Sequence, residues 1–134
     1  SALRDAPDWE AVFSTLAPPR YELGLETVYE AYLVHYGRPR LFEPDGETER
    51  ILLGDYLYAH GLVRIAEAGP VEAVSDLASL ISRCAQLRAD GLPGDGEAWA
   101  ATSATLGHGE QGQLRWRPGP EAAQAVEKHG HRVG

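Results

Sequence analysis

The stretch Ile51-Leu52-Leu53-Gly54-Asp55-Tyr56-Leu57-Tyr58-Ala59, reached from the turn Gly37-Arg38-Pro39 through Gly46-Glu47, decides the fold. Its apolar residues recur at intervals of three and four, the period of an α-helix, and the pattern runs to Glu67 before Gly69-Pro70 stops it. At about 100° per residue, Ile51, Leu52, Tyr58, Ala59, Leu62 and Ala66 fall on one side, with Asp55 among them and Arg50, His60, Arg64 and Glu67 elsewhere. A carboxylate within an apolar stripe is costly to desolvate. Asp55 is therefore expected to meet a donor on a neighbouring helix or to line a wet cavity.

The same period extends in both directions and predicts an all-α helical bundle. A first helix is expected from Pro7 or Asp8 to Leu16, burying Trp9, Val12, Phe13 and Leu16 and ended by Pro18-Pro19. A second, from about Tyr21 to Tyr36, gathers Tyr21, Leu25, Val28, Tyr29, Tyr32 and Tyr36 on one stripe and turns Glu22, Glu26 and Glu30 away from it. Beyond the Gly46–Glu67 helix, a fourth spans about Val71 to Arg88, and its apolar arc is wider than a surface helix needs. Leu53, Leu57 and Gly61 of the third helix, with Leu77, Ile81 and Cys84 of the fourth, form a second apolar face. This face is expected to be buried against another chain. After Asp90 the composition changes to Gly- and Pro-rich segments. The bundle is accordingly assigned to residues 1–90, and residues 91–134 to a loosely held extension with short helices near Glu97–Leu106 and Glu121–His129.

A chain of 134 residues with 43% apolar residues suits one principal core. A formal charge of -8 argues against nucleic acid, whose affinity rests on clustered Lys and Arg; here the twelve basic residues are scattered. No apolar run approaches the ~18 residues of a transmembrane helix, and the single Cys84 forms no internal disulfide, so the cytoplasm is the expected compartment. Cys84 sits among apolar neighbours and reads as an inert thiol. The Gly-rich stretches lack the following Lys-Ser/Thr of a phosphate loop. His129 and His131 have no evident third ligand and are expected to stay solvated. Glu43, Asp45, Glu47 and Glu49 are best explained as negative charge at a helix start, although with Asp55 they leave open a magnesium-dependent diphosphate hydrolase.

The order and spacing of Tyr32-Leu33-Val34-His35-Tyr36-Gly37-Arg38-Pro39, Gly46-Glu47 and Ile51-Leu52-Leu53-Gly54-Asp55-Tyr56-Leu57-Tyr58-Ala59 resemble the trans-prenyl diphosphate synthases. In that all-α family an Arg-Arg-Gly-Arg-Pro turn precedes a Gly-Glu-Ala segment and a Leu-Gly-Asp helix. The resemblance covers roughly residues 21–90. Family catalysis depends on two Asp-Asp-x-x-Asp clusters that hold magnesium against an allylic diphosphate. This chain has neither cluster, and His35-Tyr36 stand where the paired arginines would be.

The resemblance therefore implies a non-catalytic small subunit of a heterodimeric hexaprenyl or heptaprenyl diphosphate synthase, with no catalytic or metal-binding residue and no cofactor of its own. A catalytic large subunit would carry the magnesium. Leu53, Leu57, Gly61, Leu77, Ile81 and Cys84 would supply the interface, and Tyr29, Tyr32, Tyr36, Asp55 and Tyr58 would line the channel for the prenyl tail. The alternative from another class is a small helical homodimer or adaptor without an isoprenoid role.

Overall fold

The structure is a computed structural model that describes residues 2–134. It is all-α: α1 (Glu22–Tyr36), α2 (Glu47–Ala68), α3 (Val71–Ala89), α4 (Asp95–Ala104), α5 (Gly109–Arg115) and α6 (Pro120–Val133), with 3₁₀ turns at Ser14–Leu16 and Pro19–Tyr21. Among the described residues the only strand-like feature is an isolated bridge between Leu3 and Phe42.

The organising element is α1, which is buried almost all round. Leu25, Val28, Tyr29, Ala31, Tyr32, Leu33 and Val34 are sealed, and so are Glu26 and Glu30, which the sequence pattern turned outward. Their burial follows from the central position of the helix and is made tolerable by Arg40, itself 0% exposed. Arg40 Nε donates to Glu30 Oε1 at 2.8 Å, Nη1 pairs with Glu26 Oε1, and Nη2 donates to the Glu26 carbonyl at 3.0 Å. Glu26 Oε2 accepts the backbone N–H groups of Val12 and Ser14, each at 3.1 Å. Glu30 Oε2 accepts those of Arg40 and Leu41 at 2.9 and 2.8 Å.

This arrangement also replaces the expected first helix. Residues 7–13 run without helix because their backbone groups are engaged elsewhere. Asp8 N–H reaches the Arg40 carbonyl at 2.8 Å, the Glu10 carbonyl accepts from Arg40 Nη1 at 2.7 Å, and Val12 N–H is taken by Glu26.

α2 lies along α1 with its buried face formed by Gly54, Leu57, Gly61 and Ile65. The face follows from close approach. A Cβ at Gly61 would lie 2.5 Å from Val28 Cγ2 and 3.0 Å from the Val28 backbone nitrogen, and one at Gly24 would lie 2.6 Å from Ile65 Cδ1. The stripe expected inside is consequently turned outward: Ile51, Leu52, Ala59, Ala66 and Asp55 are exposed, and Tyr58 and Leu62 are half-buried.

The region after residue 90 is packed rather than loose. Ala98, Trp99, Ala100, Leu106, Ala122 and Ala125 belong to the same core cluster as Val12, Phe13, Tyr29 and Leu77, so the expected division at residue 90 does not separate two packing units. Trp99 stacks on Phe13 at 5.5 Å and meets Tyr29 edge-on at 5.1 Å. Asp76 of α3, placed by periodicity on a polar side, is buried. Its Oδ2 accepts the N–H groups of Gly107 and Gly109 at 2.8 and 3.3 Å, tying the turn before α5 to α3.

Close helix contact and backbone freedom make opposite demands on glycine, and two substitutions separate them. Gly61→Ala should destabilise by about 1–3 kcal/mol because the methyl meets the α1 backbone. Gly130→Ala, in α6 with nothing within 4 Å of the added carbon, should stabilise by up to about 1 kcal/mol through helix propensity. Urea denaturation of both variants measures the contrast; equal effects would mean that α1 and α2 are not in contact at Gly61.

Candidate functional site

The two pieces of the motif meet in space. His35, at the end of α1, lies against the α2 backbone where Gly54 leaves room, and a Cβ at Gly54 would overlap the imidazole. His35 Nε2 is 3.7 Å from Asp55 Oδ1, and the ring stacks on Tyr58 at 5.4 Å with an interplanar angle of 19°. Arg50 donates to the Val34 carbonyl at 2.9 Å, satisfying one of the free acceptors at the α1 C-terminus. Thus Gly54-Asp55 is a seat for an imidazole. Asp55 is not a buried acid, since its side chain is 70% exposed. The Tyr58 hydroxyl is buried without a hydrogen-bond partner, and burial pushes its phenol above its ordinary range.

The turn has an equally local purpose. A Cβ at Gly37 would lie 2.6 Å from the Arg132 carbonyl, Arg38 N–H donates to that carbonyl at 2.9 Å, and the Arg38 guanidinium caps the His131 carbonyl. Gly37-Arg38 therefore receives the C-terminal turn of α6, where exposed carbonyls favour a cation.

Tyr29 and Tyr32, expected in a channel, are 0% exposed and join a polar chain inside the core. Tyr29 Oη is 2.7 Å from His129 Nδ1, His129 Nε2 is 3.0 Å from Asp95 Oδ2, and that same oxygen accepts from Tyr32 Oη at 2.7 Å and Arg88 Nη2 at 2.6 Å. His129 is thus buried, contrary to its expected solvation, while His131 is exposed. Burial alone would raise the Asp95 pKa, but hydrogen bonds from His129, Tyr32 and Arg88 hold it well below the usual carboxylate range. Burial pushes the Tyr29 and Tyr32 phenols up. Phenols so held keep their protons, and the chain of contacts fastens α4 and α6 to α1.

Cys84 is sealed in the same core, and burial pushes its thiol up to about 11, the state of an unreactive thiol. Clefts of about 450 and 360 Å³ lie away from the motif, the first between α3, α4 and α5 and the second between α4 and α6. Glu43, Asp45 and Glu47 are exposed at the start of α2 and Glu49 is half-buried. Among the described residues no three His, Cys, Asp or Glu side chains converge to hold a metal ion.

The residues assigned to the interface are occupied within the chain. Leu57, Gly61, Leu77 and Cys84 are buried and Leu53 and Ile81 are half-buried, because the α1 contact draws that face of α2 inward and the core claims the corresponding face of α3. α2 keeps an exposed apolar surface on its opposite side, where Leu52 is 65% exposed, Tyr56 63% and Val63 56%. Tyr56 and Val63 did not figure in the stripe read from sequence. Their signal was the glycine spacing 54 and 61, which marks the inward face by what it lacks. None of the described helices is long and apolar enough to cross a membrane. No protein-family model, curated protein or solved structure matches the chain.

The packing of His35 gives the pH response a sign. Burial lowers its pKa from 6.5; the Asp55 charge opposes this and Arg50 adds to it. The unfolded chain therefore binds more protons than the native one between pH 6.5 and the lower native value. Stability falls as pH drops through that window and the loss is complete below it. His35→Phe keeps a ring on Tyr58 and removes the titration, so its urea midpoint should fall less than the wild type's between pH 7.5 and 5.5. Identical slopes would contradict this placement of His35.

Proposed function

We propose that the chain is a non-catalytic subunit that pairs with the catalytic large subunit of a medium- or long-chain prenyl diphosphate synthase in the cytoplasm, the large subunit carrying the magnesium. The observation that carries the reading is the exposed apolar side of α2, the helix that also bears Gly54-Asp55. Leu52, Tyr56 and Val63 are each more than half exposed, although such groups ordinarily avoid water. The Gly37-Arg38-Pro39 turn and the Gly54-Asp55 helix, separate in sequence, both adjoin the end of α1, which supports reading them as parts of one inherited scaffold.

Docking uses the outer side of α2, since the flank named from sequence is sealed. Any contact with the prenyl tail falls to Tyr36 and Tyr58 beside His35, where Tyr36 is 36% exposed; Tyr29 and Tyr32 have no access to it. The resemblance supplies the substrate class and the exposed side of α2 supplies the means of association.

The test is to mix the purified chain with a large subunit from the same organism that bears both aspartate clusters, and to follow magnesium-dependent condensation of allylic and isopentenyl diphosphates. Neither polypeptide should turn over alone, the mixture should, and Tyr56→Glu should remove at least about nine-tenths of the mixture's activity at limiting concentration. Full activity of the large subunit alone, or no complex with it, would overturn the proposal.

A further inference from the structure

Leu52, Tyr56, Ala59, Val63 and Ala66 follow one another at intervals of four, three, four and three, and all five are exposed. At 100° per residue they occupy an arc of about 80°, centred opposite Gly54, Leu57, Gly61 and Ile65, which face α1. This is a heptad seam of two turns' repeat, with Tyr56 and Val63 at one seam position and Leu52, Ala59 and Ala66 at the other. A seam of that period fits another helix, and α2 leaves it bare.

We infer that a second copy of this chain covers it, α2 against α2 in antiparallel register. The register follows from side-chain size. When the two helices are placed so that Leu52 of one meets Val63 of the other, Tyr56 falls opposite Ala59 and Ala59 opposite Tyr56. Each large ring then faces a methyl, and each branched aliphatic faces another, around a two-fold axis between positions 57 and 58. The parallel arrangement sets Tyr56 against Tyr56 and Ala59 against Ala59, leaving a crowded layer beside an empty one.

No charged residue stands among the five; Glu49, Asp55 and Glu67 flank the seam, Glu49 of one copy lying beside Ala66 of the other at its end, and the helix dipoles oppose one another. Covering these five on both copies would remove on the order of 1,000 Å² from water, the lower bound for a specific interface. Self-association of moderate strength is the consequence, and a catalytic partner using the same face would have to displace the second copy. The inference itself is independent of the prenyl synthase reading.

Sedimentation equilibrium of the full chain from about 1 to 100 μM should show a monomer–dimer equilibrium, and Tyr56→Glu, at an exposed site that leaves folding intact, should weaken it by about 30-fold or more. Orientation is read by oxidative cross-linking, for which Cys84 is sealed away. Leu52→Cys and Val63→Cys chains should each fail to cross-link alone and should form a covalent dimer when mixed. A monomer at every concentration, a dimer indifferent to Tyr56→Glu, or a Leu52→Cys chain that cross-links with itself would overturn the inference. Dimerisation with no binding to any large subunit would leave it standing and sink the functional reading.

Discussion

Two carboxylates on the central helix have no route to water, and one guanidinium answers both. Glu26 and Glu30 lie four residues apart on α1, and Arg40 reaches them from the segment between α1 and α2. Removing one partner of such a buried group costs about 3–5 kcal/mol, because it leaves the others charged and unpaired. The oxygens that Arg40 does not use gather backbone: Glu26 collects Val12 and Ser14, and Glu30 collects Arg40 and Leu41. Trp9 closes the outside by lying over the guanidinium at 4.5 Å. The N-terminal segment and the approach to α2 are both fixed by this one cluster.

With the approach fixed, glycine decides which way α2 faces. Gly54 and Gly61 on α2, and Gly24 on α1, allow backbone contact that no side chain would permit, so the smallest residues define the inward face and the larger apolar ones are left outside. The exposed seam is a result of that choice. It separates the two sides of α2 into one that holds the fold together and one free to meet another helix.

Much of the helical framework was legible in the sequence because it rests on period and punctuation: α1, α2 and α3 fall within a residue or two of the spans read from apolar spacing and from Pro18-Pro19, Gly69-Pro70 and Asp90. What periodicity could not show was depth. Glu26 and Glu30 occupy the positions of a solvated face, and only Arg40, ten or more residues away, makes them interior. Glycine contributes nothing to an apolar stripe, so the stripe through Asp55 was drawn about 120° from the face that packs. The Gly- and Pro-rich composition after residue 90 suggests looseness, yet Trp99, His129 and Asp95 tie α4 and α6 to Tyr29 and Tyr32 through contacts across more than 60 residues of chain. The residues of the motif adjoin one another at the end of α1, where they seat a histidine and cap a helix.

The most direct measurement is hydroxyl-radical footprinting of the intact chain at low and high concentration. Tyr56 and Leu52 should be heavily modified in dilute solution and protected on assembly, while Tyr29, Tyr32 and Leu57 stay protected throughout. Modification of Tyr29 or Tyr32 in the folded chain, or a Tyr56 shielded at every dilution, would contradict a packed α1 and a bare outer α2.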